Sequence, residues 1–179
     1  MVRAFIALEL SREIQDNLSR AQETIRGSKA RLTLVDPKNI HITIKFLGEV
    51  NQETLGKVIA AVRSVRFAPF GITAGPVTVN SPRRPHTVWS TIDDAGQGEQ
   101  VFSRIEEILA PLGFERETRR FTPHATIARV KSPDASLFTA LNSIRDVTYG
   151  SCMIRGMTLK KSTLLPQGPV YENLAEVTW

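Results

Sequence analysis

The sequence is poor in the residues that most often build disulfides, metal clusters and membrane spans. Its 179 residues include one cysteine, Cys152, and three histidines. A single cysteine excludes an internal disulfide and a thiolate metal cluster, so we expect a protein of the reducing cytoplasm. No run approaches the roughly 18 uninterrupted apolar residues of a membrane helix, so we expect no membrane association.

Two common catalytic signatures are also missing. The chain has no Gly-x-x-x-x-Gly-Lys-Ser/Thr loop, which argues against P-loop nucleotide chemistry. It has no Gly-x-Ser-x-Gly turn, which removes the commonest arrangement of a hydrolase serine. Residues 1–10 are too soon interrupted by Glu9 to form a signal peptide, and they predict a first strand instead.

The composition is that of an ordinary globular protein with a basic charge balance. Hydrophobic residues make up 41% and charged residues 23% of the chain, which predicts one domain over residues 1–179. The net charge of +5 favours an anionic partner such as nucleic acid. The basic residues cluster at Arg83–Arg84, at Arg116 with Arg119–Arg120, at Arg129 with Lys131, and at Lys160–Lys161. For Arg83–Arg84 and for Lys160–Lys161 taken alone, a solvated surface is the favoured interpretation.

Two of the three histidines open the same short pattern. One segment reads His41-Ile-Thr43-Ile and the other reads His124-Ala-Thr126-Ile. Each follows a turn that contains proline, and its apolar residues alternate with the polar pair, which predicts a strand. Residues i and i+2 of a strand share a face, so each histidine lies beside its threonine. We expect the two pairs to face each other across a groove.

The offset between the two patterns extends to the rest of the chain. Each half reads strand, helix, pattern strand, helix, strand, with pseudo-repeats at about 1–80 and 84–162 and a closing hairpin to 179. The paired segments are 4–9 with 87–92, 11–26 with 98–112, 52–65 with 134–144, and 70–79 with 153–160. We expect an α+β fold of two pseudo-symmetric lobes, each an antiparallel sheet with two helices on its outer face, and a site in the cleft between the lobes. A loop is predicted at 166–169.

Two histidines with ordinary pKa values near 6.5 are suited to act as a general base and a general acid at neutral pH. In-line cleavage of a phosphodiester needs both, on opposite sides of phosphorus. Thr43 and Thr126 are placed to donate hydrogen bonds to the phosphoryl oxygens. Arg129 also suits phosphate, but simple alternation puts it on the opposite strand face unless the strand ends, bulges or twists. Which histidine is the acid stays open on this reasoning.

Other residues are given simpler interpretations. A zinc site needs a third ligand, and neither pattern has an adjacent His-Glu or cysteine, so metal-free catalysis without a cofactor is what remains. His86 follows a proline and is predicted to be a surface histidine. Phe46 is either a core residue or part of a wall that stacks on a base, and the core is favoured because phenylalanine is usually buried.

The runs 39–50 and 121–129 resemble the paired signatures of the two-histidine (2H) phosphoesterases. Within that superfamily, the chain is most similar to the RNA 2′,3′-cyclic phosphodiesterase (2′-5′ RNA ligase) family. The similarity extends over essentially the whole chain, including the opening segment 3–8 and the strand around Val88-Trp89.

This resemblance implies a specific reaction. Members hydrolyse a ribose 2′,3′-cyclic phosphate at an RNA end to a 2′-phosphate without metal or nucleotide. By position, His41 is the proton donor to the 3′-oxygen and His124 the proton acceptor from water. Thr43 and Thr126 are implied to hold the phosphate, with Arg129 as a further contact. The expected partner is RNA with such an end, including tRNA halves, and the expected protein is a monomer.

Three alternatives stay open at this level. Ligation of tRNA halves through a 2′-5′ linkage uses the same groups, so it is a second candidate for the main reaction. A small cyclic nucleotide is an alternative substrate. A non-catalytic protein that binds RNA ends is a third reading, which the intact pair of histidines disfavours because mere binding does not need two titratable imidazoles.

Overall fold

The computed structural model describes residues 1–166 and 168–179, so residue 167 of the predicted loop at 166–169 lies outside the described part. The strands are β1 (Val2–Glu9), β2 (Arg31–Leu34), β3 (His41–Val50), β4 (Phe70–Val79), β5 (Thr87–Asp93), β6 (His124–Ser132), β7 (Gly150–Ile154), β8 (Gly156–Leu165) and β9 (Gly168–Thr178). The helices are α1 (Arg12–Arg26), α2 (Gln52–Arg63), α3 (Gln97–Leu109) and α4 (Ala135–Ser143), with short 3₁₀ turns at Pro37–Asn39 and Ala110–Leu112. None of the described helices is long and apolar enough to cross a membrane.

The strands form one curled antiparallel sheet that is divided at its middle. The strand order is β7-β4-β5-β6-β3-β1-β8-β9, with β2 paired to β6. The pattern strands β3 and β6 are joined only through Ile42 and Ala125, close to the start of each. The sheet therefore has two lobes, β7-β4-β5-β6 and β3-β1-β8-β9, which confirms the predicted α+β fold with two pseudo-symmetric lobes.

Each lobe is built from both halves of the chain. Strand β4 pairs with β5 and β7, while β8 pairs with β1 and β9, so the last strand of each half lies in the lobe of the other half's pattern strand. The helices cross over in the same way, because α1 contacts α4 and β6 while α3 contacts α2 and β3. A central strand such as β1 pairs with a neighbour on each of its two edges. The order of elements along the chain does not show which strand is its second neighbour.

The predicted strand at 153–160 was wrong, because this segment is two strands in different lobes. Strand β7 ends at Ile154 and pairs with β4, and β8 begins at Gly156 and pairs with β1. The backbone approaches β9 closely at this switch, since a Cβ on Gly156 would lie 2.0 Å from the carbonyl oxygen of Val177. The glycine permits that approach.

The helices begin where local side chains satisfy their free amide groups. Ser11 accepts a hydrogen bond from the backbone N–H of Ile14 at the start of α1, and Asn51 accepts one from Thr54 at the start of α2. Asp134 caps α4 by accepting from Ser136. Such caps stabilise a helix by about 1 kcal/mol each. The apolar face of α1 is buried against the sheet, with Ile14, Leu18, Ala21 and Ile25 all within the core.

Candidate active site

A bulge in β3 turns the residue after the first pattern toward the histidine face. One extra residue, Ile44, separates the pairs that Thr43 and Lys45 make with β1. Ile44 and Lys45 are both buried, whereas the next residue, Phe46, is exposed. Alternation restarts after the bulge, so Phe46 shares the face of His41 and Thr43.

The same bulge recurs in β6 and decides the position of Arg129. Ile127 is the extra residue between the pairs that Thr126 and Ala128 make with β5. Ile127 and Ala128 are buried, and Arg129 is exposed. The bulge therefore places Arg129 on the face that carries His124 and Thr126. Simple alternation would have placed it on the opposite face.

Both histidine rings are oriented by the same backbone contact. His41 Nδ1 lies 2.7 Å from the carbonyl oxygen of Asn39, and His124 Nδ1 lies 2.7 Å from that of Thr122. A carbonyl only accepts hydrogen bonds, so Nδ1 carries the proton in each ring and the neutral ring keeps Nε2 free for chemistry. His41 Nε2 lies 3.0 Å from the hydroxyl of Thr43, its neighbour on the same face.

The two patterns meet where the lobes join. Ile42 pairs with Ala125, so His41 and His124 flank the single bridge between β3 and β6. The rings are close enough that the charge of His124 lowers the pKa of His41. The predicted meeting of the two histidines in the cleft between the lobes is thus present in the fold.

Aromatic rings pack against both imidazoles. His41 stacks on Phe5 with a centroid distance of 5.0 Å and meets the edge of Tyr171 at 5.7 Å. His124 lies against Trp89 with a centroid distance of 4.1 Å. Packed rings restrict rotation of the imidazole, which supports the orientation that the Nδ1 contacts set.

Burial is the main influence on the pKa of His41. It lowers the pKa below the ordinary value of about 6.5 because it disfavours the charged ring. The hydrogen bond to Asn39 and the carboxylate of Glu9 act in the opposite direction, and the ammonium of Lys160 adds to the lowering. Glu9 and Lys160 pair with each other at 2.8 Å beside the ring.

Burial also lowers the pKa of His124, and here the neighbouring charge acts in the same direction. The hydrogen bond to Thr122 raises the pKa, whereas the guanidinium of Arg129 lowers it further. Both free rings are therefore held mostly neutral at pH 7. A bound phosphate carries negative charge beside them and favours their protonated forms.

The interpretation of Phe46 as a core residue was wrong. Its side chain is 62% exposed, and its ring lies 5.8 Å from that of Phe5. The bulge is the physical reason, because it places two buried residues in succession before Phe46. The geometry agrees with the alternative, in which Phe46 forms an exposed wall on the face of the site.

The repeat pattern in the sequence did not predict two contacts at the site. Tyr171 comes from β9, outside both repeats, and its hydroxyl lies within electrostatic range of Arg129 and Arg3; burial raises its pKa and the two cations oppose that rise. The side-chain amide of Asn39 donates to the carbonyl of Pro169 at 3.3 Å. The β8–β9 hairpin is thus tied to the residue whose own carbonyl orients the first histidine.

A buried ion pair supports the bulge of β3. Lys45 pairs with Glu106 of α3 and also donates to the carbonyl of Glu115 at 2.8 Å. The second carboxylate oxygen of Glu106 accepts from the backbone N–H of Glu117 at 2.9 Å. The pair therefore connects β3 to the segment that leads into the second pattern.

An amide takes the same position in the other lobe. Gln22 of α1 is buried, and its Nε2 donates to the carbonyls of Ile127 at 2.8 Å and Val35 at 2.6 Å. It connects the bulge of β6 to the segment that leads into the first pattern. The support of each bulge thus comes from the opposite half of the chain.

The third histidine lies apart from the pair. His86 is exposed, as predicted, and its carbonyl accepts from the backbone N–H of Val130. Within residues 1–166 and 168–179, no group of three histidine, cysteine or acidic side chains is arranged to hold a metal ion. The prediction of catalysis without metal stays a prediction.

Comparison with known proteins agrees with this geometry. The family model described as LigT like Phosphoesterase matches residues 8–89 and 93–171. The chain belongs to the LigT-like phosphoesterase family. That membership confirms the resemblance to two-histidine phosphoesterases and makes the protein a member of an enzyme family.

Archaeal relatives in this family are similar over nearly the full length of the chain. The RNA 2′,3′-cyclic phosphodiesterase of Methanothermobacter thermautotrophicus is 31% identical over 97% of this chain and 96% of its own length. The protein of the same name from Aeropyrum pernix is 34% identical over 89% of this chain and 93% of its own length. The LigT of Escherichia coli, solved in complex with 3′-AMP, has a TM-score of 0.79 at 23% identity and covers 98% of this chain and 96% of its own, which shows a shared fold.

Proposed function

We propose that this LigT-like phosphoesterase hydrolyses the 2′,3′-cyclic phosphate at an RNA end to a 2′-phosphate. The observation that carries the proposal is the matched pair of imidazoles at the lobe junction, each with Nδ1 held by the carbonyl two residues earlier. The relatives named RNA 2′,3′-cyclic phosphodiesterase support the choice of substrate. We propose that the reaction needs neither metal nor nucleotide.

The proposed chemistry is one in-line displacement. His124 Nε2 accepts a proton from water as the water oxygen forms a bond to phosphorus. The bond between phosphorus and the 3′-oxygen breaks, and His41 Nε2 donates a proton to that oxygen. The products are a 2′-phosphate monoester and a free 3′-hydroxyl.

The phosphate needs donors that are already in place as its charge grows. Thr43 and Thr126 stand beside the two histidines and are proposed to donate to the phosphoryl oxygens. Arg129, on the same face after the bulge, is proposed to bind two oxygens with its planar fork. No carboxylate lies within ion-pair distance of Arg129 among the described residues, so its charge is available to an anion.

The charge with the larger effect differs in sign between the two rings, which supports the assignment of roles. Beside His41, the carboxylate of Glu9 raises the pKa by more than the ammonium of Lys160 lowers it, and so favours the protonated ring that a donor needs. The guanidinium of Arg129 adds to the effect of burial at His124 and favours the neutral ring that an acceptor needs. We therefore assign His41 as donor and His124 as acceptor.

Phe46 is proposed to stack on the base of the terminal nucleotide. Its ring is exposed on the site face and is backed by Phe5. It follows Thr43 by three residues, which spans about 7–10 Å along a bulged strand. Aromatic faces accept any base, so this contact predicts little sequence preference.

An oligoribonucleotide with a 2′,3′-cyclic phosphate end tests the proposal. In the presence of a chelator, we expect full turnover to a 2′-phosphate, identified by chromatography against both isomers. A 3′-phosphate product would contradict the assigned leaving oxygen, and loss of turnover with the chelator would contradict metal independence.

Ligation stays an alternative for the same site, with the 5′-hydroxyl of a second RNA in place of water. Product analysis at increasing concentration of 5′-hydroxyl RNA separates it from hydrolysis. Binding of the cyclic end without turnover would instead support a non-catalytic protein. Action on tRNA halves, a monomeric state and a cytoplasmic location stay predictions.

A further inference from the structure

The exposed row on β6 continues beyond the residues proposed to hold the reacting phosphate. After the bulge, Arg129 is exposed, Val130 packs against the core, and Lys131 is exposed again. Lys131 thus extends the row that starts at His124 by about 7 Å beyond Arg129. The strand carries positive charge away from the cleft.

Strand β2 adds a cation on one side of this row. Arg31 opposes Ser132 and Thr33 opposes Arg129 in the pairing of β2 with β6. Leu32 pairs with Val130 and packs against the core. Arg31 is exposed beside the end of β6, where Lys131 is an extra residue in the pairing.

A turn adds two more cations on the other side. The carbonyl of His86 accepts from the backbone N–H of Val130 at 2.9 Å, which holds the turn 81–86 beside β6. The side chain of Asn80 fixes the same turn by accepting from the N–H groups of His86 and Thr87. Arg83 and Arg84 in this turn are both exposed.

We define the basic strip as Arg31, Arg83, Arg84 and Lys131. Within the part of the chain that the structure describes, no member of the strip has a carboxylate within 4.0 Å, unlike Arg12, Lys57 and Arg104, which pair with acids on their own helices. Asp134 is the nearest acid along the chain, and its carboxylate is hydrogen-bonded to Ser136. Unpaired cations gathered around the end of one strand attract a polyanion.

The other pattern strand lacks such a strip. The corresponding end of β3 carries Gly48 and the exposed Glu49, opposite a single exposed cation, Arg3 of β1. A general need for solubility would not concentrate unpaired cations at the end of one of two pseudo-equivalent strands. The difference points to a ligand on the β6 side.

We propose that the basic strip binds backbone phosphates of the RNA strand whose cyclic end occupies the site. The strip continues the row of Arg129, so one strand can reach both the catalytic groups and the strip. The proposal rests on the proposed function and deepens it, because it makes a polynucleotide end, rather than a mononucleotide, the preferred substrate.

Two substrates separate the strip from the chemistry. One is adenosine 2′,3′-cyclic phosphate, which has no further phosphate, and the other is a six-nucleotide RNA with the same cyclic end. The variants are Lys131→Gln, Arg31→Gln and the double change of Arg83 and Arg84 to Gln. The matched controls are Arg20→Gln and Arg63→Gln, which remove exposed cations from α1 and α2.

We expect the strip variants to raise KM for the hexanucleotide at 0.1 M salt by about 5-fold for each cation removed. The slope of the logarithm of its affinity against the logarithm of salt concentration should become shallower by about 0.7 for each phosphate that is no longer neutralised. Their kcat/KM for the mononucleotide should stay within about 2-fold of the unchanged protein. The control variants should resemble the unchanged protein on both substrates.

An equal loss of kcat/KM on the two substrates, or no loss on either, would contradict the proposed role of the basic strip. The phosphodiesterase proposal would be unaffected. Absence of turnover by the unchanged protein on both substrates would overturn the phosphodiesterase proposal. In that event, fluorescence anisotropy with the labelled hexanucleotide still tests the strip, since the variants should weaken its binding. Equally tight binding of polyglutamate or anionic vesicles, abolished in the same variants, would overturn RNA as the partner.

Discussion

The two pattern strands share a backbone and differ in the residues that follow the bulge. Strands β3 and β6 each carry a histidine held by the carbonyl two residues earlier, a threonine, and a bulge one residue later. At the equivalent exposed position, β3 has Phe46 and β6 has Arg129. The common backbone supplies two opposed imidazoles, and the difference provides one wall suited to a base and another suited to a phosphate.

Removing either imidazole should have the largest effect on catalysis. His41→Ala and His124→Ala should each lower kcat by about 10²–10⁴-fold, since each removes a proton-transfer group. Turnover of the cyclic RNA end measures the effect, and circular dichroism checks the fold. The double variant should lose little more than either single variant. Retention of more than about a tenth of the rate in either single variant would contradict the acid and base roles.

The supports of the two bulges should differ in their contribution to stability. Lys45→Met alone leaves the buried carboxylate of Glu106 without its partner and should lower the free energy of unfolding by about 3–5 kcal/mol. Gln22→Leu leaves the carbonyl of Val35 without this donor, whereas the carbonyl of Ile127 keeps the backbone N–H of Val35, and it should cost about 1–3 kcal/mol. Urea denaturation measures both.

Lys45→Met combined with Glu106→Leu is the control for the ion pair. It removes both charges and should recover most of the loss. A double variant as unstable as Lys45→Met alone would show that packing around Lys45, rather than the unpaired charge, sets the loss.

Substitution of Arg129, the exposed cation after the bulge of β6, tests its role in binding phosphate. Arg129→Ala should lower kcat/KM by about 10²-fold, within the range known for the loss of one transition-state donor. Arg129→Lys should recover only part of this loss because an ammonium cannot bind two oxygens in a plane. Full recovery with lysine would mean that charge alone is needed.

Removing the ring of the β3 wall should have a smaller effect. Phe46→Ala should raise KM by about 5- to 100-fold, the equivalent of one stacked base, while Phe46→Tyr should keep the affinity. Stability should change little because the side chain is 62% exposed. A loss in stability comparable to that of a core phenylalanine would contradict the assignment as a wall.

The smallest expected effect is a shift in pH dependence. Burial lowers the pKa of both free histidines, so the kcat/KM profile should have its maximum below about pH 6.5. Arg129→Gln removes a cation that lowers the pKa of His124, so the acid limb should move to higher pH. Glu9→Gln removes a carboxylate that raises the pKa of His41, so the alkaline limb should move to lower pH. If Arg129→Gln instead moved the alkaline limb and Glu9→Gln the acid limb, the proposed roles of the two histidines would be reversed.

Much of this site could be predicted from the sequence, because local properties of the side chains determine it. The strands at 41 and 124 and the helices near 11–26 and 52–65 were predictable because alternation, helical spacing and capping residues act over a few positions. The need of Arg129 for a bulge was also visible, since strand parity excluded it otherwise. The bulge itself had no local signal, and so the exposure of Phe46 was missed.

Other parts of the site depend on contacts between distant segments. Tyr171 reaches His41 only because β8 crosses to pair with β1 and brings β9 with it. Lys45 is buried only because Glu106 of α3 lies opposite it. A lysine after a strand pattern gives no sign of such a partner, because the pairing brings together residues far apart in the chain.

The sequence by itself determined the family, the two histidines with their threonines and the order of helices and strands apart from β2 and the division at 153–160. These follow from side-chain identity and short-range periodicity. The tertiary structure decided which strands share a lobe, where the bulges fall and which charge lies beside each imidazole. Those features arise when distant segments compete for the same sheet edges and buried positions, and the packing of the whole chain settles that competition.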